Sequence, residues 1–135
     1  MPGTTRIHHL GVAVRSIDAA LELYRDALGL EVAHEEVVAA EKVKVAMLPA
    51  GGPRIELLEP TEAGSVLGRY LEKHGEGLHH VALEVDDLDA VVRALLGRGA
   101  RLVDPQPRIG AEGYRYVFVH PASAGGVLLE LVEAR

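Results

Sequence analysis

Gly77-Leu78-His79-His80-Val81-Ala82-Leu83-Glu84-Val85 decides the fold, because Ile7-His8-His9-Leu10-Gly11-Val12-Ala13-Val14 anticipates it 71 positions earlier. The same shift carries Ser16 onto Asp87, Asp18 onto Asp89, Ala19 onto Ala90, Leu30 onto Arg101 and Val32 onto Val103. At a slightly larger offset, Ile55-Glu56-Leu57-Leu58-Glu59 answers to Leu129-Glu130-Leu131-Val132-Glu133. Each half therefore reads as a strand with a histidine, an amphipathic helix, further strands, and a strand with a glutamate. His9 precedes Glu56 by 47 residues and His80 precedes Glu130 by 50. Two histidines and two glutamates recurring in register are what a pseudo-twofold metal site between two copies of one module requires.

The pattern predicts strands over 6–14, 30–38, 43–48 and 54–59, with a helix capped by Ser16, striped by Ile17, Leu21, Tyr24 and Leu28, and stopped by Gly29. A linker over 61–76 holds a short amphipathic helix with Val66, Leu67, Tyr70 and Leu71. In the second half a strand begins at Leu78, and Asp87 caps a helix whose buried stripe is Leu88, Val91, Val92, Leu95 and Leu96. Strands follow over 101–103, 114–120 and 126–132. The loops over 104–113 and 121–126 are rich in Pro and Gly and suit a substrate-facing rim. The expectation is one α+β domain over 1–135, two paired βαβββ modules (6–60 and 77–133) forming a curved mixed sheet around a metal-binding cleft.

Composition narrows the function. The chain has 135 residues, 48% of them apolar, and a mean hydropathy near zero, enough for a core. It has no cysteine, which removes disulfides and thiolate metal sites and favours a cytoplasmic location. The start, Met1-Pro2-Gly3-Thr4-Thr5-Arg6, shows no leader-like apolar run, and no segment approaches membrane-spanning length. A net charge of −6 argues against nucleic acid as a partner, while a local basic patch still leaves room for a small anion.

Glu130 sits among Val127, Leu128, Leu129, Leu131 and Val132, and Glu56 among Ile55, Leu57 and Leu58. A carboxylate in a strand covered on both faces is costly unless paired, protonated or bound to metal. Alone, either glutamate reads as a strand-end residue reaching solvent, and either histidine as a packed one. Together, His9, Glu56, His80 and Glu130 suit a five- or six-coordinate divalent ion with open positions. Cobalt is the first choice, with Mn, Ni, Fe or Zn as the others. Strand parity puts His9 with Gly11 and Ala13, and His80 with Ala82 and Glu84, on the face that has room for an ion. His8 falls with Leu10, Val12 and Val14, and His79 with Val81, Leu83 and Val85, on the faces that lie against the helices, so both read as stabilising residues. His34 and His74 read as surface residues, His120 ends a strand before Pro121 and has no repeat partner, and Arg108, Tyr114, Arg115 and Tyr116 read as a basic, aromatic rim. No P-loop, dinucleotide-binding glycine motif or Ser-His-Asp order is present.

These features resemble the vicinal oxygen chelate superfamily, which includes glyoxalase I, extradiol dioxygenases and antibiotic-resistance proteins. Several segments look like the methylmalonyl-CoA epimerases: His9 to Val14, Tyr24 to Leu30, Ile55 to Pro60, Gly75 to His80, Pro107 to Gly110, and His120-Pro121 with Gly125 to Glu130. The resemblance spans Ile7 to Val132. It implies a metal-dependent isomerase interconverting the (R) and (S) forms of an acyl-CoA, methylmalonyl-CoA, with ligands at His9, Glu56, His80 and Glu130 and with Glu130 as a catalytic acid/base. It also implies a homodimer. Two positions depart from the family: Glu56 stands where some members have glutamine, and Val45, beside Lys44, stands where some have a glutamate proposed as a second acid/base. A glyoxalase I-type lactoylglutathione lyase, an iron dioxygenase and a non-enzymatic binding protein remain alternatives of the same fold.

Overall fold

The computed structural model describes residues 4–135, and side chains from Arg6 onward. Met1-Pro2-Gly3, part of the start read above as lacking a leader, lies outside the described residues. The elements run β1 (Thr4–Ala13), α1 (Ile17–Leu21), β2 (His34–Val38), β3 (Val43–Pro49), β4 (Arg54–Pro60), α2 (Val66–His74), β5 (Gly77–Val85), α3 (Leu88–Gly97), β6 (Arg108–Ile109), β7 (Arg115–Val119) and β8 (Leu129–Glu133). Read in order this is βαβββ, a helix, and βαβββ again. The strands are hydrogen-bonded in the order β2-β3-β4-β1-β5-β8-β7-β6, and the sheet is mixed, since β5 and β8 are parallel while β7 is antiparallel to β8. No helix among the described residues is long and apolar enough to cross a membrane.

Packing divides the described residues into two compact units, one of residues 4–9 with His80–Arg135 and the other of Leu10–His79. In the second of these, Val14, Ile17, Leu21, Ala46, Leu48 and Leu57 are buried together, with Val12, Leu30 and Val32 packed against them. In the first, Val85, Leu88, Val92, Val117, Val119 and Leu131 do the same under α3. The large residues of each strand thus lie against the helix, as strand alternation requires. The opposite face of the first unit holds Ala82, Tyr116 and Val132, with Tyr114 and Phe118 packed on them.

Both helix starts are as the sequence predicts. Ala19 N–H donates to Ser16 Oγ at 3.1 Å and Ala90 N–H to Asp87 Oδ1 at 3.1 Å.

Several expectations are corrected. After Leu21 the first helix widens into a π-helix over Glu22–Ala27, with Leu28 N–H donating to the Leu23 carbonyl. A widened turn takes about one residue more than an α-turn, so the expected stripe loses phase and Leu28 is left 63% exposed. Leu96 of α3, also expected in a buried stripe, is 49% exposed. The strand expected over 30–38 begins only at His34, because Leu30 N–H closes back on the Tyr24 carbonyl and Leu30 and Val32 pack against the buried cluster of this unit instead. The strand expected over 101–103 is a single bridge, Leu102 to Val119, and the longer pairing on β7 is made by β6. Pro105 and Pro107 lie between the two and have no N–H to give a ladder. β8 likewise starts at Leu129, later than expected, because Gly125 and Gly126 turn the chain at φ of 66° and 88°.

Candidate metal centre

The four expected ligands are all buried in strands: His9 in β1, Glu56 in β4, His80 in β5 and Glu130 in β8. Glu130 owes its position to central pairing. It lies opposite Ala82 on one side and Phe118 on the other, so its carboxylate shares a face with both. Ala82, fully buried and small, leaves space beside that carboxylate, and His80 is two residues before it on the same face. The edge of the Phe118 ring meets the His80 ring, with centroids 5.6 Å apart.

Three of the four come together within the first unit. His9 Nε2 lies 2.9 Å from His80 Nε2. Glu130 Oε1 lies 3.0 Å from His9 Nε2 and 3.2 Å from His80 Nε2. Both contacts go to the same carboxylate oxygen. Burial pushes the Glu130 carboxyl up, but the hydrogen bonds and charge of His80 and His9 outweigh it and hold the group well below the usual carboxylate range.

The triangle fits a divalent ion. Ligand bonds of about 2.1 Å at right angles space neighbouring donors about 3.0 Å apart, so three such atoms make one face of an octahedron. Two imidazole nitrogens and a carboxylate oxygen are also the donor chemistry that Co, Mn, Ni, Fe or Zn accepts. His9, His80 and Glu130 could therefore hold a metal, with further positions left open.

Glu56 is in the other unit. It pairs with Met47 of β3, and Val45, two residues back on that strand, pairs with Leu58. Val45 is 2% exposed, so the position where some family members have an acid/base glutamate carries an apolar side chain packed in the sheet. Glu56 itself is 5% exposed on that same face of the β3–β4 pair.

His8 is the residue that reasoning from the sequence undervalued. It is 3% exposed, its Nδ1 is 2.7 Å from His9 Nδ1, and its ring meets Tyr114 with centroids 4.8 Å apart. The tandem His8-His9 was the available signal, and strand parity, by assigning the pair to opposite faces, hid it. Of the expected rim, Tyr114 takes the guanidinium of Arg135 over its ring at 3.9 Å. Arg115 is held by Asp89 and Glu133 at 2.9 Å each, and Arg108 by Asp104 at 2.9 Å. His34 is paired with Glu36 at 2.7 Å.

With the fold and the donor set in place, comparison with known proteins is direct. Residues 8–118 match the model of the Glyoxalase/Bleomycin resistance protein/Dioxygenase superfamily. The chain belongs to that superfamily. Among its relatives within it, an ethylmalonyl-CoA/methylmalonyl-CoA epimerase of Cereibacter sphaeroides is 37% identical, over 93% of this chain and 96% of that protein. A methylmalonyl-CoA epimerase solved in complex with methylmalonyl-CoA and NH4+ is 40% identical, covers 98% of this chain and 96% of its own, and superposes with a TM-score of 0.92. The methylmalonyl-CoA epimerase of Mycobacterium tuberculosis, also 40% identical, covers 98% of this chain and 89% of its own, with a TM-score of 0.91. The chain is thus a glyoxalase-like α+β protein and an isomerase of the epimerase kind.

Proposed function

We propose that this protein is a metal-dependent epimerase of methylmalonyl-CoA, with His9, Glu56, His80 and Glu130 as ligands. The observation that carries the reading is the triangle of His9 Nε2, His80 Nε2 and Glu130 Oε1 in a chain 40% identical to an epimerase solved with that substrate. Glu56 joins the set as the repeat counterpart of Glu130, and a buried carboxylate gains most from a bound cation. Two imidazoles and carboxylate oxygens are a donor set of the kind that holds such an ion. When bound, a divalent ion supplies Lewis-acid charge that eases loss of a proton α to a thioester carbonyl.

Epimerisation removes that proton from one face of the carbon and returns one to the other. Glu130 serves as the base: Oε1 is committed to the two histidines, which leaves Oε2 to take the proton. The buried setting keeps this carboxylate desolvated, and the imidazoles fix its orientation. With Val45 apolar, the second proton carrier is Glu56, directly or through a water. The homodimer implied by the resemblance belongs to the same reading, and sedimentation at monomer mass would remove it.

Deuterium exchange tests the activity. The protein loaded in turn with Co, Mn, Ni, Fe and Zn is incubated with methylmalonyl-CoA in deuterated water, and incorporation at the α-carbon is followed by mass spectrometry. Exchange is expected with at least one ion; none with any ion would sink the reading. The lactoylglutathione lyase alternative would instead show turnover of the glutathione thiohemiacetal of methylglyoxal and no α-exchange on the acyl-CoA.

A further inference from the structure

We propose that His8 is a positioning residue for His9, accepting the hydrogen bond that decides which nitrogen of His9 is left bare for an ion. The inference rests on His9 being a metal ligand, as proposed above. It concerns a side chain that the proposed chemistry does not use.

His8 Nδ1 and His9 Nδ1 lie 2.7 Å apart, and both rings are buried. Neighbouring side chains of a strand point to opposite faces, so a ring-to-ring bond between them is not a by-product of regular strand geometry. The other edge of His9 presents Nε2 to His80 Nε2 at 2.9 Å and to Glu130 Oε1 at 3.0 Å. Each nitrogen of the His9 ring thus has its own neighbour.

A bond between two imidazole nitrogens needs one proton, carried by one of them. A ligating imidazole is neutral and offers a bare nitrogen to the ion. With Nε2 of His9 turned to the donor triangle, its proton belongs on Nδ1. His9 then donates, His8 Nδ1 accepts, and the proton of His8 resides on Nε2. The opposite assignment would place the His9 proton on Nε2, inside the triangle, where it excludes an ion. The His8 ring packs edge-to-face on Tyr114, with centroids 4.8 Å apart, and Tyr114 in turn lies under the Arg135 guanidinium. Tyr114 thus keeps the acceptor aimed. Partners of this kind on ligating histidines fix tautomer and ring orientation together.

Two variants of the full chain separate positioning from packing, read by the Co(II) dissociation constant in competition with a chromophoric chelator. His8→Phe keeps a ring against Tyr114 and removes the acceptor; it is expected to weaken Co(II) about 10- to 100-fold. His8→Asn loses the ring but sets an amide oxygen near the place of Nδ1; it is expected to stay within about threefold of the native chain. A role in packing alone gives the reverse order, and that order would overturn the proposal. Unchanged binding by His8→Phe would overturn it too while leaving the metal site intact, whereas no Co(II) binding by the native chain would overturn the site itself. Should His8→Phe fail to fold, the native zinc-loaded chain labelled with ¹⁵N-histidine decides. His9 Nδ1 protonated with His8 Nδ1 bare is expected, and the reversed assignment would overturn the proposal.

Discussion

The two modules agree where a carboxylate is needed and part where a histidine is supported. In each, a glutamate three residues beyond Glu56 or Glu130 takes the helix N-terminus: Glu59 Oε1 accepts from Ile17 N–H at 2.7 Å, and Glu133 Oε2 accepts from Leu88 N–H at 3.0 Å. An odd spacing along a strand sends two side chains to opposite faces. Glu56 and Glu130 therefore face away from the helices, while Glu59 and Glu133 face toward them and meet the positive end of the helix dipole. At the histidine strands the copies differ. His8 bonds its neighbour His9 and packs on Tyr114, whereas His79 sets its ring against Tyr70 with centroids 4.6 Å apart. What both modules share is the minimum for a site and a fold. What they do not share marks where each copy has specialised.

The sharpest break in the symmetry concerns the two carboxylates proposed as ligands. Glu130→Gln keeps the size of the side chain and removes the proposed base, so α-exchange should fall about 10²- to 10⁴-fold, the usual worth of a positioned proton carrier. Glu56→Gln keeps an oxygen ligand and removes only the carrier on the opposite face, which α-exchange through Glu130 does not need, so a smaller fall than at Glu130 is expected. The two rates are read from deuterium incorporation with the same ion. A larger loss at Glu56 than at Glu130 would mean that the two copies have exchanged roles.

Within the histidine pairs, His80→Ala should abolish Co(II) binding, and His79→Ala should cost mainly stability, seen as a lower urea midpoint with binding retained. The reverse would break the register of β5 on which the site rests. The ion should also stabilise the native state: at a hundredfold excess over its dissociation constant, binding adds about 2.7 kcal/mol. A thermal midpoint indifferent to a chelator would mean that the four residues do not share a metal.

Much of this was legible because it is written twice. His9 and His80, Glu56 and Glu130, Ser16 and Asp87 each have a counterpart in register, and a repeated residue is hard to explain as surface decoration. Departures from regular geometry were harder to read. His8 was assigned to a packing face because parity describes a regular strand, and a bond between adjacent rings departs from that rule. Leu30 and Val32 alternate as a strand should, yet they pack against the buried cluster before the ladder begins. The π-helical stretch leaves no mark in an apolar pattern that a regular helix would also fit.

The smallest expected effect tests the symmetry that remains. Glu59→Ala leaves Ile17 N–H without its carboxylate, with Ser16 still capping the helix two residues on at Ala19. A cost of about 1 kcal/mol is expected, the scale of a lost cap. Glu133→Ala removes the matching acceptor from Leu88 and also releases Arg115, which Glu133 holds at 2.9 Å. Arg115 keeps its second partner, Asp89, and an exposed ion pair is worth little, so the second cost should exceed the first only slightly. Urea unfolding of both variants, with and without Arg115→Ala, measures the difference. If Glu133→Ala cost several times more than Glu59→Ala and Arg115→Ala removed that excess, the bridge to Arg115 rather than the helix cap would be the main work of Glu133, and the two modules would share a sequence position without sharing its function.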